Sequence, residues 1–427
     1  RDSRGSAGAS LRPSAAMATG RYAVFGAPID QLTRALEHRP TPLSIRHLLQ
    51  HGGRPGKPVG REDLLRSADF TRRELPIRLA RRVRQFYSLP FLVATNPHIQ
   101  AIARLYAHSF VVLSKVPRIT SEEANDEYTE QLQSLVLQHA ANAEMLSRGL
   151  YQCKSYMDEE KASRFLNAVL HSRIGIRLIA EQHLALTEAA AHARGRETAG
   201  RYARGDMSVG VIELRMRPAD SIRASADYVR HLCEATYEVA PPLQLDGDTD
   251  VACVGVPIHL EYVMTELLKN SFRATTERYL ERKQERQEAE ARRQHRMRRV
   301  LAAPSPPSQE TDSEGLPPVR ITLTATPSHV IVRIRDRGGG IAPENMGKVY
   351  KHAFSTVSSS SGEDSGGGGG LQSSMGTPAG LGYGLPMARL YTEYFGNSSV
   401  DLVSLWGYGC DTYLRLSRHI DTSDVRI

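Results

Sequence analysis

The stretch Glu266-Leu-Leu-Lys-Asn270-Ser-Phe-Arg-Ala274 decides the fold of the second half of the chain. Its pattern predicts a helix that places a carboxylate, a carboxamide and a small residue on one face. Residues four apart on a helix are neighbours, so Glu266 and Asn270 can converge on one ligand. The stretch therefore predicts a binding site carried by a helix.

Two glycine-rich motifs follow this helix. Asp336-Arg-Gly338-Gly339-Gly340 comes first, and Gly380-Leu381-Gly382-Tyr383-Gly384-Leu385 comes second. Such glycine turns bring bare backbone close to a ligand. The β-branched strand Val330-Ile-Val-Arg-Ile334 runs almost directly into Asp336,. An aspartate at that position can accept a hydrogen bond from an exocyclic amine such as that of adenine.

In this order, the three motifs resemble the Bergerat ATP site shared by type II topoisomerases, ninety-kilodalton heat-shock chaperones, histidine kinases and mismatch-repair ATPases. The resemblance implies that the chain binds ATP. Asn270 can offer an oxygen to Mg²⁺, which usually keeps several waters and few protein ligands. Taken alone, the Asp336 turn is also compatible with an ordinary strand-end loop. The sequence lacks a P-loop, the V-A-I-K, H-R-D and D-F-G set, and an early dinucleotide fingerprint,.

Composition bounds the class of protein. The 427 residues suffice for two domains or one large one, and 40% hydrophobic with 24% charged residues is typical of a soluble globular protein with polar insertions,. No apolar run approaches the roughly 18 residues of a membrane helix, so we predict no membrane span. The four cysteines lack C-x-x-C spacing, which predicts neither a zinc cage nor a disulfide framework,.

The net charge of +8 is compatible with a protein that binds nucleic acid. Much of the excess lies in residues 281–299, a charged and helix-favouring tract with eight Lys/Arg and four Glu. Such a run is usually a solvated face or an insertion, and no aromatic residue interleaves it. We therefore predict no nucleic-acid binding, and we assign residues 281–318, including the proline-rich loop, as an insertion.

The N-terminal segment, residues 1–40, is predicted as a transit segment or a disordered tail. Its first twenty residues contain three arginines and one acid among many Ser, Ala and Gly residues. We favour a mitochondrial transit segment over a plain disordered tail.

Residues 41–206 have a helical pattern. Leu132, Leu135, Val136, Ala143 and Leu146 form one apolar stripe,. Consecutive amphipathic helices with short polar joins make an all-α helical bundle, which is the predicted partner-docking domain. The other predicted helices cover Leu43–His51, Glu74–Phe86, Asn96–Leu113 and Glu159–Glu188.

Residues 207–419 mix strands with helices, which predicts an α+β sandwich, followed by a tail over 420–427. The predicted strands are Gln244–Leu245, Val251–Val254, Arg320–Ala325, Val330–Arg335, Ser399–Ser404 and Thr412–Leu416; the predicted helices are Pro218–Tyr237, Pro257–Lys283 and Pro386–Phe395. Residues 355–380 are too rich in Ser and Gly to order themselves,. We predict a mobile lid over ATP there, with a passive insertion as the alternative.

With bundle and ATP half combined, the chain resembles the mitochondrial protein kinases of 2-oxoacid dehydrogenase complexes from about Pro40 onward. The resemblance implies a serine kinase of the mitochondrial matrix that forms a homodimer. Its implied partners are the decarboxylase component as substrate and the lipoyl-bearing transacylase core as docking platform. The stretches that carry the resemblance are Pro42–Leu48, Arg73–Ala80, Ser172–Leu178, Glu266–Thr275, Gly382–Pro386 and Tyr391–Phe395.

Two branches of this family compete. Pyruvate dehydrogenase kinases have a histidine one turn before the catalytic glutamate, where this chain has Tyr262, and they carry a long tail with a D-W pair. The ending Arg418-His-Ile-Asp421 and the helix Gln182-His-Leu-Ala-Leu186 resemble the branched-chain branch. We predict the branched-chain complex as the target and keep the pyruvate complex as the alternative.

The resemblance also implies residue roles. Glu266 is the candidate general base, and Asn270 the Mg²⁺ ligand. A potassium site is implied at Val349, Lys351, Phe354 and Gly382, although a lysine departs from the family pattern there. The implied ATP-binding residues are Asn270, Asp336, Gly338, Gly340, Ser355, Thr356, Gly380, Leu381, Gly382, Tyr383, Gly384, Leu385 and Thr412.

Several alternatives stay open from the sequence. Glu266 could be a helix-surface residue in a salt bridge with Lys269 or Arg273. His183 could be a phosphoacceptor, as in histidine kinases, but its surroundings lack the usual following proline, so we favour a structural role. An ATP-driven clamp would need a transducer domain after the ATP half, and a non-enzymatic adaptor would have a broken ATP site.

Overall fold

The computed structural model describes residues 25–195, 207–299, 315–351, 384–395 and 398–418. The first of these ranges is a helical bundle, as predicted. Its helices are α1 (Ile29–Glu37), α2 (Ile45–His51), α3 (Arg61–Tyr87), α4 (Phe91–Ala94), α5 (Pro97–Ser114), α6 (Glu122–Gln138), α7 (Asn142–Gln152) and α8 (Glu159–Ala193).

Side-chain caps begin several of these helices. Ser44 Oγ accepts a hydrogen bond from the backbone N–H of His47, which starts α2. Ser121 and Asp158 cap α6 and α8 in the same way. Each cap satisfies a first-turn donor that the helix leaves open, a contribution of about 1 kcal/mol. The polar joins therefore fix where the helices begin.

The centre of the bundle is α3, which packs against α5 and α8. The ring of Phe86 lies 5.8 Å from that of Tyr106 and 5.4 Å from that of Phe165, measured between centroids. Edge-to-face and tilted ring pairs of this kind stabilise a core beyond the area they bury. Aromatic packing between α3, α5 and α8 thus fixes the helices of the bundle.

The first helix of the described residues differs from the prediction. Helix α1 lies inside residues 1–40, and Ala27 and Leu32 are buried in the main core. Burying these side chains removes apolar surface from water, which stabilises a segment that composition alone predicts as disordered. Part of the segment predicted as a transit segment or disordered tail is therefore a packed helix.

Two helix predictions in the bundle are also wrong in extent. The stripe from Leu132 to Leu146 is divided between α6 and α7, because the chain turns at residues 139–141 while both helices keep their apolar sides on the same core. Helix α3 begins at Arg61 and continues through Pro76. Pro76 is buried, and the helix continues there without the backbone hydrogen bond that proline cannot donate,.

The second half of the chain contains two β-sheets and the remaining helices. The short strands β1 and β2 were not predicted. The elements are β1 (Ser208–Val209), β2 (Ile212–Met216), α9 (Pro218–Tyr237), β3 (Leu243–Gly247), β4 (Cys253–Gly255), α10 (Pro257–Arg299), β5 (Val319–Ala325), β6 (His329–Arg335), α11 (Pro343–Met346), α12 (Gly384–Glu393), β7 (Ser399–Leu405) and β8 (Gly409–Ser417).

The larger sheet has the order β3-β5-β6-β8-β7, with β3 parallel to β5 and the other neighbours antiparallel. The smaller sheet is β1-β2-β4. Val330, Val332 and Ile334 alternate along β6 and are fully buried. Since side chains alternate between the two faces of a strand, these residues face one layer. Helices α9, α10 and α12 form that layer, which confirms the α+β sandwich.

Helix α10 is one continuous helix of 43 residues, about 65 Å long,. It extends beyond its predicted end at Lys283, and every described side chain from Glu281 to Arg293 is exposed. The charged tract is therefore a helical extension that leaves the body of the protein. The rest of the predicted insertion, residues 300–314, lies outside the described residues.

The two halves share one continuous core of buried side chains. Tyr394, which follows α12, is fully buried, and its ring centroid lies 4.9 Å from that of His171 on α8. The junction of bundle and sandwich is thus a packed interface.

Among the described helices, none is both long and apolar enough to cross a membrane.

A buried ion pair provides a test of bundle stability. Arg78 Nε donates to Glu74 Oε1 at 2.8 Å, and both side chains are at most 5% exposed. Glu74 also accepts the N–H and the hydroxyl of Thr41. We expect Glu74→Ala to lower the free energy of unfolding by about 3–5 kcal/mol, because it leaves the Arg78 charge buried without a counter-charge. Denaturant titration followed by circular dichroism measures the change.

The matched control is Asp30→Ala. Asp30 pairs with Arg34 on the surface of α1, with both side chains more than half exposed. Surface pairs of this kind contribute about 1 kcal/mol or less. Equal losses of stability in the two variants contradict the importance of the buried pair.

Candidate active site

One face of α10 carries the predicted acid and amide. Glu266 is 4% exposed, and its Oε1 accepts a hydrogen bond from Lys269 Nζ at 2.7 Å. Asn270, one turn further on, is exposed and has no hydrogen-bond partner among the described residues. A free carboxamide oxygen next to a buried, oriented carboxylate suits a hydrated Mg²⁺ beside a proton acceptor.

The second motif begins where β6 ends. Asp336 is 7% exposed, and its Oδ1 accepts the backbone N–H groups of Gly338 and Cys410, each at 3.0 Å. Burial raises the pKa of the Asp336 carboxyl, while these two N–H groups and Ser271 lower it. The strand β8 therefore helps to hold Asp336 in a fixed orientation, as an acceptor for a ligand amine requires.

Two glycines of this motif are required by close packing. A Cβ added at Gly338 would meet the Ala274 side chain and lie 2.8 Å from its backbone carbon. Gly340 has a φ of +75°, and a Cβ there would lie 2.5 Å from the carbonyl oxygen of Leu405. Only glycine fits both positions without a shift of backbone. The Asp336 turn is thereby pressed against α10 and β7.

The third motif reaches the same place from another element. Helix α12 begins at Gly384, the last glycine of the motif, and a Cβ added there would lie 2.5 Å from Glu266 Oε2. The backbone N–H groups at the start of a helix favour anions such as phosphate. Leu385 follows, half-buried against the core. The structure thus brings Glu266 and the end of the third motif together.

The other predicted site residues divide into two groups. Thr412 is buried on β8 opposite Ile334, while Val349 is half-buried and Lys351 is exposed after α11. Lys351 Nζ lies 3.7 Å from a carboxylate oxygen of Glu159 on α8. The lid, residues 355–380, and the remaining predicted ligands lie outside the described residues and stay predictions: Phe354, Ser355, Thr356, Gly380, Leu381, Gly382 and Tyr383.

Three contributors to the site were missed by the sequence predictions. Lys269 was considered only as a salt-bridge alternative for Glu266, and that ion pair is present. Ser271 supports Asp336, and the hydroxyl of Thr275 accepts the backbone N–H of Arg337 at 3.4 Å. Ser271 and Thr275 lie four apart on α10, so helical periodicity was a signal that could have found them.

His183 lies inside the bundle, on α8. It is fully buried, its Nδ1 lies 3.1 Å from Ser67 Oγ, and its ring contacts that of Tyr128. Burial lowers the pKa of the His183 imidazole to about 4. A neutral, enclosed imidazole in the helical core fits the structural role and offers no access to a phosphoryl donor.

The convergence of α10, the Asp336 turn and the start of α12 on an α+β sandwich defines the class of protein. A family model described as histidine kinase-, DNA gyrase B-, and HSP90-like ATPase matches residues 255–420. A model described as mitochondrial branched-chain alpha-ketoacid dehydrogenase kinase matches residues 42–213, the bundle. Together, the two matches and the similarity to curated dehydrogenase kinases support the mitochondrial 2-oxoacid dehydrogenase kinase family for this chain.

Curated relatives are similar over nearly the whole chain. A mitochondrial pyruvate dehydrogenase (acetyl-transferring) kinase of Arabidopsis thaliana is 29% identical over 90% of this chain and 92% of its own length. The kinase of that name from Schizosaccharomyces pombe is 24% identical over 94% of this chain and 99% of its own length. Isozyme 3 of the mitochondrial pyruvate dehydrogenase (acetyl-transferring) kinase from Homo sapiens is 26% identical over 90% of this chain and 85% of its own length.

Adenine recognition by Asp336 can be tested by a single-atom change. Asp336→Asn keeps one acceptor oxygen for the Gly338 and Cys410 N–H groups but replaces the other by an NH₂ donor,. We expect ATP affinity to fall by about 1–3 kcal/mol, because two donors then face each other. GTP presents a carbonyl at that position, so its affinity is expected to fall less. Calorimetric titration with both nucleotides measures the difference.

The matched control is Asp401→Asn, which changes an exposed aspartate on β7 of the same sheet. We expect unchanged affinity for both nucleotides. Wild-type ATP affinity in Asp336→Asn contradicts the adenine role and leaves Asp336 as a turn residue.

Proposed function

We propose that the protein is an ATP-dependent serine kinase of the mitochondrial matrix. It phosphorylates, and thereby inactivates, the decarboxylase component (alpha subunit) of the branched-chain 2-oxoacid dehydrogenase complex. The observation that carries the proposal is the convergence of Glu266 and Asn270 on α10 with Asp336 and Gly384. This set provides a base, a metal ligand, an adenine acceptor and a phosphate-binding helix start.

The proposed reaction transfers the terminal phosphoryl group of ATP to a serine hydroxyl. The serine oxygen forms the new bond to phosphorus, the bond to the bridging oxygen of ADP breaks, and Glu266 accepts the hydroxyl proton. Lys269 holds the Glu266 carboxylate in one orientation through the ion pair at 2.7 Å. Positioning and charge neutralisation supply most of the catalysis in such reactions.

Asn270 is the residue that would hold Mg²⁺, which neutralises phosphate charge when bound. The start of α12 lies against Glu266, and backbone N–H groups at a helix start favour phosphates,. In the same proposal, the residues that would hold K⁺ are Val349, Lys351, Phe354 and Gly382, as the family resemblance implies.

Different observations support the branched-chain complex and the pyruvate complex as the target. The model that matches the bundle is described as a branched-chain kinase, and Tyr262 and the ending Arg418-His-Ile-Asp421 agree with that branch. The second candidate is a pyruvate dehydrogenase kinase, which the names of the relatives favour. The bundle is the proposed docking domain for the lipoyl-bearing core of the complex.

Incubation with each purified complex and labelled ATP tests the proposal. We expect label on serine of the branched-chain decarboxylase component. Label on the pyruvate complex alone supports the second candidate, and label on neither complex contradicts both. Adding the separated lipoyl-bearing core should accelerate transfer if the bundle docks on it.

We also propose a homodimer formed through the open face and edge of the larger sheet. Val403, Leu405, Trp406 and Tyr408, on β7 and its turn to β8, are between 51% and 66% exposed. Contiguous exposed apolar side chains of this kind mark interaction sites. We expect the double change Leu405→Glu and Trp406→Glu to convert a dimer to a monomer in sedimentation velocity. The proposed dimer interface is wrong if the wild-type protein is a monomer, or if the double variant remains a dimer.

A further inference from the structure

A cavity of about 90 Å³ lies at the junction of the bundle and the ATP half, apart from the candidate active site. Ile45 of α2 lines it from the bundle side. The other side is formed by β4, α10, α12 and β8, including Val254, Val263, Phe395 and Leu414. At about 10–15 Å³ for each water-sized centre, it has room for roughly six heavy atoms.

The lining combines apolar side chains with uncharged polar groups, among them Thr392, Ser398 and Ser417. No Asp, Glu, Lys or Arg is among the described residues that line it. Burial raises the pKa of the Cys253 thiol to about 12, and burial together with the Arg177 charge lowers the pKa of His259 to about 3. Both groups are therefore neutral near pH 7. An ionised guest would be buried without a counter-charge, at a large cost in free energy.

His259 is the polar group that a guest can use. Its ring contacts those of Tyr391 and Phe395, with centroids 4.8 and 6.3 Å away. Its imidazole nitrogens have no hydrogen-bond partner among the described residues. By contrast, Thr392 and Ser44 already have partners, the carbonyl of Ala388 and the N–H of His47. An imidazole in an uncharged lining favours a neutral guest that can form a hydrogen bond with it,.

We propose that this cavity is a binding site for a small, uncharged, mainly apolar molecule that makes one hydrogen bond to His259. The site connects to the machinery of the proposed kinase through two helices. His259 precedes Glu266 by seven residues of α10, about 10.5 Å along the axis, and Tyr391 follows Gly384 by seven residues of α12,. A bound guest wedges between the two helices that build the active site.

Ligand-observed NMR with the full chain tests the proposal. Cyclopentanol, with six heavy atoms and one hydroxyl, is the probe, and the isosteric cyclopentylammonium ion is its charged counterpart. We expect saturable binding of cyclopentanol with a Kd on the order of 1 mM, a plausible affinity for six heavy atoms. No saturable binding is expected for the ammonium ion.

Variants locate the binding. Val263→Phe fills the cavity and should abolish cyclopentanol binding, whereas His259→Leu should weaken it about five- to tenfold through the lost hydrogen bond. Val239→Phe makes the same change as the first variant at an exposed position after α9 and should bind the probe like wild type. Circular dichroism checks that each variant is folded.

Two results overturn the proposal: equal binding of both probes, and unchanged cyclopentanol binding in folded Val263→Phe. Probe binding is measured without nucleotide, because the cavity does not include Glu266, Asn270 or Asp336. The readout requires no phosphoryl transfer. Failure of this site and failure of the proposed kinase function are therefore distinguishable.

Discussion

Glu266→Gln is expected to leave ATP binding intact and to lower phosphoryl transfer to serine by about 10²–10⁴-fold. Glutamine keeps the shape of the side chain and a hydrogen-bonding oxygen for Lys269, which binds Glu266 Oε1 at 2.7 Å. It cannot accept the proton that leaves the serine hydroxyl. The loss should therefore fall on kcat, with the ATP dissociation constant close to that of wild type.

The measurement is transfer of labelled phosphate to the decarboxylase component, with ATP affinity measured separately by calorimetry. Transfer to protein is the required readout, since an ATP-driven clamp would also lose hydrolysis in this variant. Glu277→Gln is the matched control, on the same helix but bonded to Arg273 and Tyr237. If Glu266→Gln transfers phosphate at near wild-type rate, Glu266 serves only the ion pair with Lys269, and another base must be sought.

Asn270→Ala is expected to abolish kinase activity and to remove the Mg²⁺ dependence of ATP binding. Mg²⁺ bridges the phosphates and neutralises their charge, and a hydrated Mg²⁺ uses few protein ligands, so the loss of one is severe. Asn270 is exposed on α10, one turn from buried Glu266. Its removal creates no cavity in the core, and we expect wild-type thermal stability without nucleotide.

Calorimetric titrations with ATP in the presence and absence of Mg²⁺ measure this effect. The control is Gln284→Ala, which removes a carboxamide from the exposed part of the same helix. It should keep both the activity and the Mg²⁺ dependence. If Asn270→Ala keeps wild-type turnover, Asn270 is not the Mg²⁺ ligand. If the variant binds ATP weakly and this binding still responds to Mg²⁺, a different residue is the metal ligand.

Local spacing was sufficient to find the central site residues. Glu266 and Asn270 lie one turn apart in the sequence pattern of a helix, and a β-branched strand leads into Asp336. The structure has both elements at these positions, α10 and β6. These are short-range features, in which hydrophobic periodicity and chain geometry dictate the local conformation.

Contacts between distant segments could not be predicted from these short-range sequence patterns. Gly384 lies against Glu266, and Cys410 donates to Asp336, yet more than seventy residues separate the members of each pair. The Lys269 ion pair was one of two salt bridges open to Glu266, and only the packing around α10 selects it. Burial likewise decides that His183 is neutral.

The sequence by itself determined the helical bundle, the α+β sandwich, the three ATP motifs and their order, because periodicity and turn residues act locally. It also carried the resemblance to the dehydrogenase kinases. Tertiary structure alone decided that α1 joins the core and that Tyr394 enters the bundle. These features depend on which apolar surfaces meet, and the free energy of that burial is set by contacts between segments far apart in the chain.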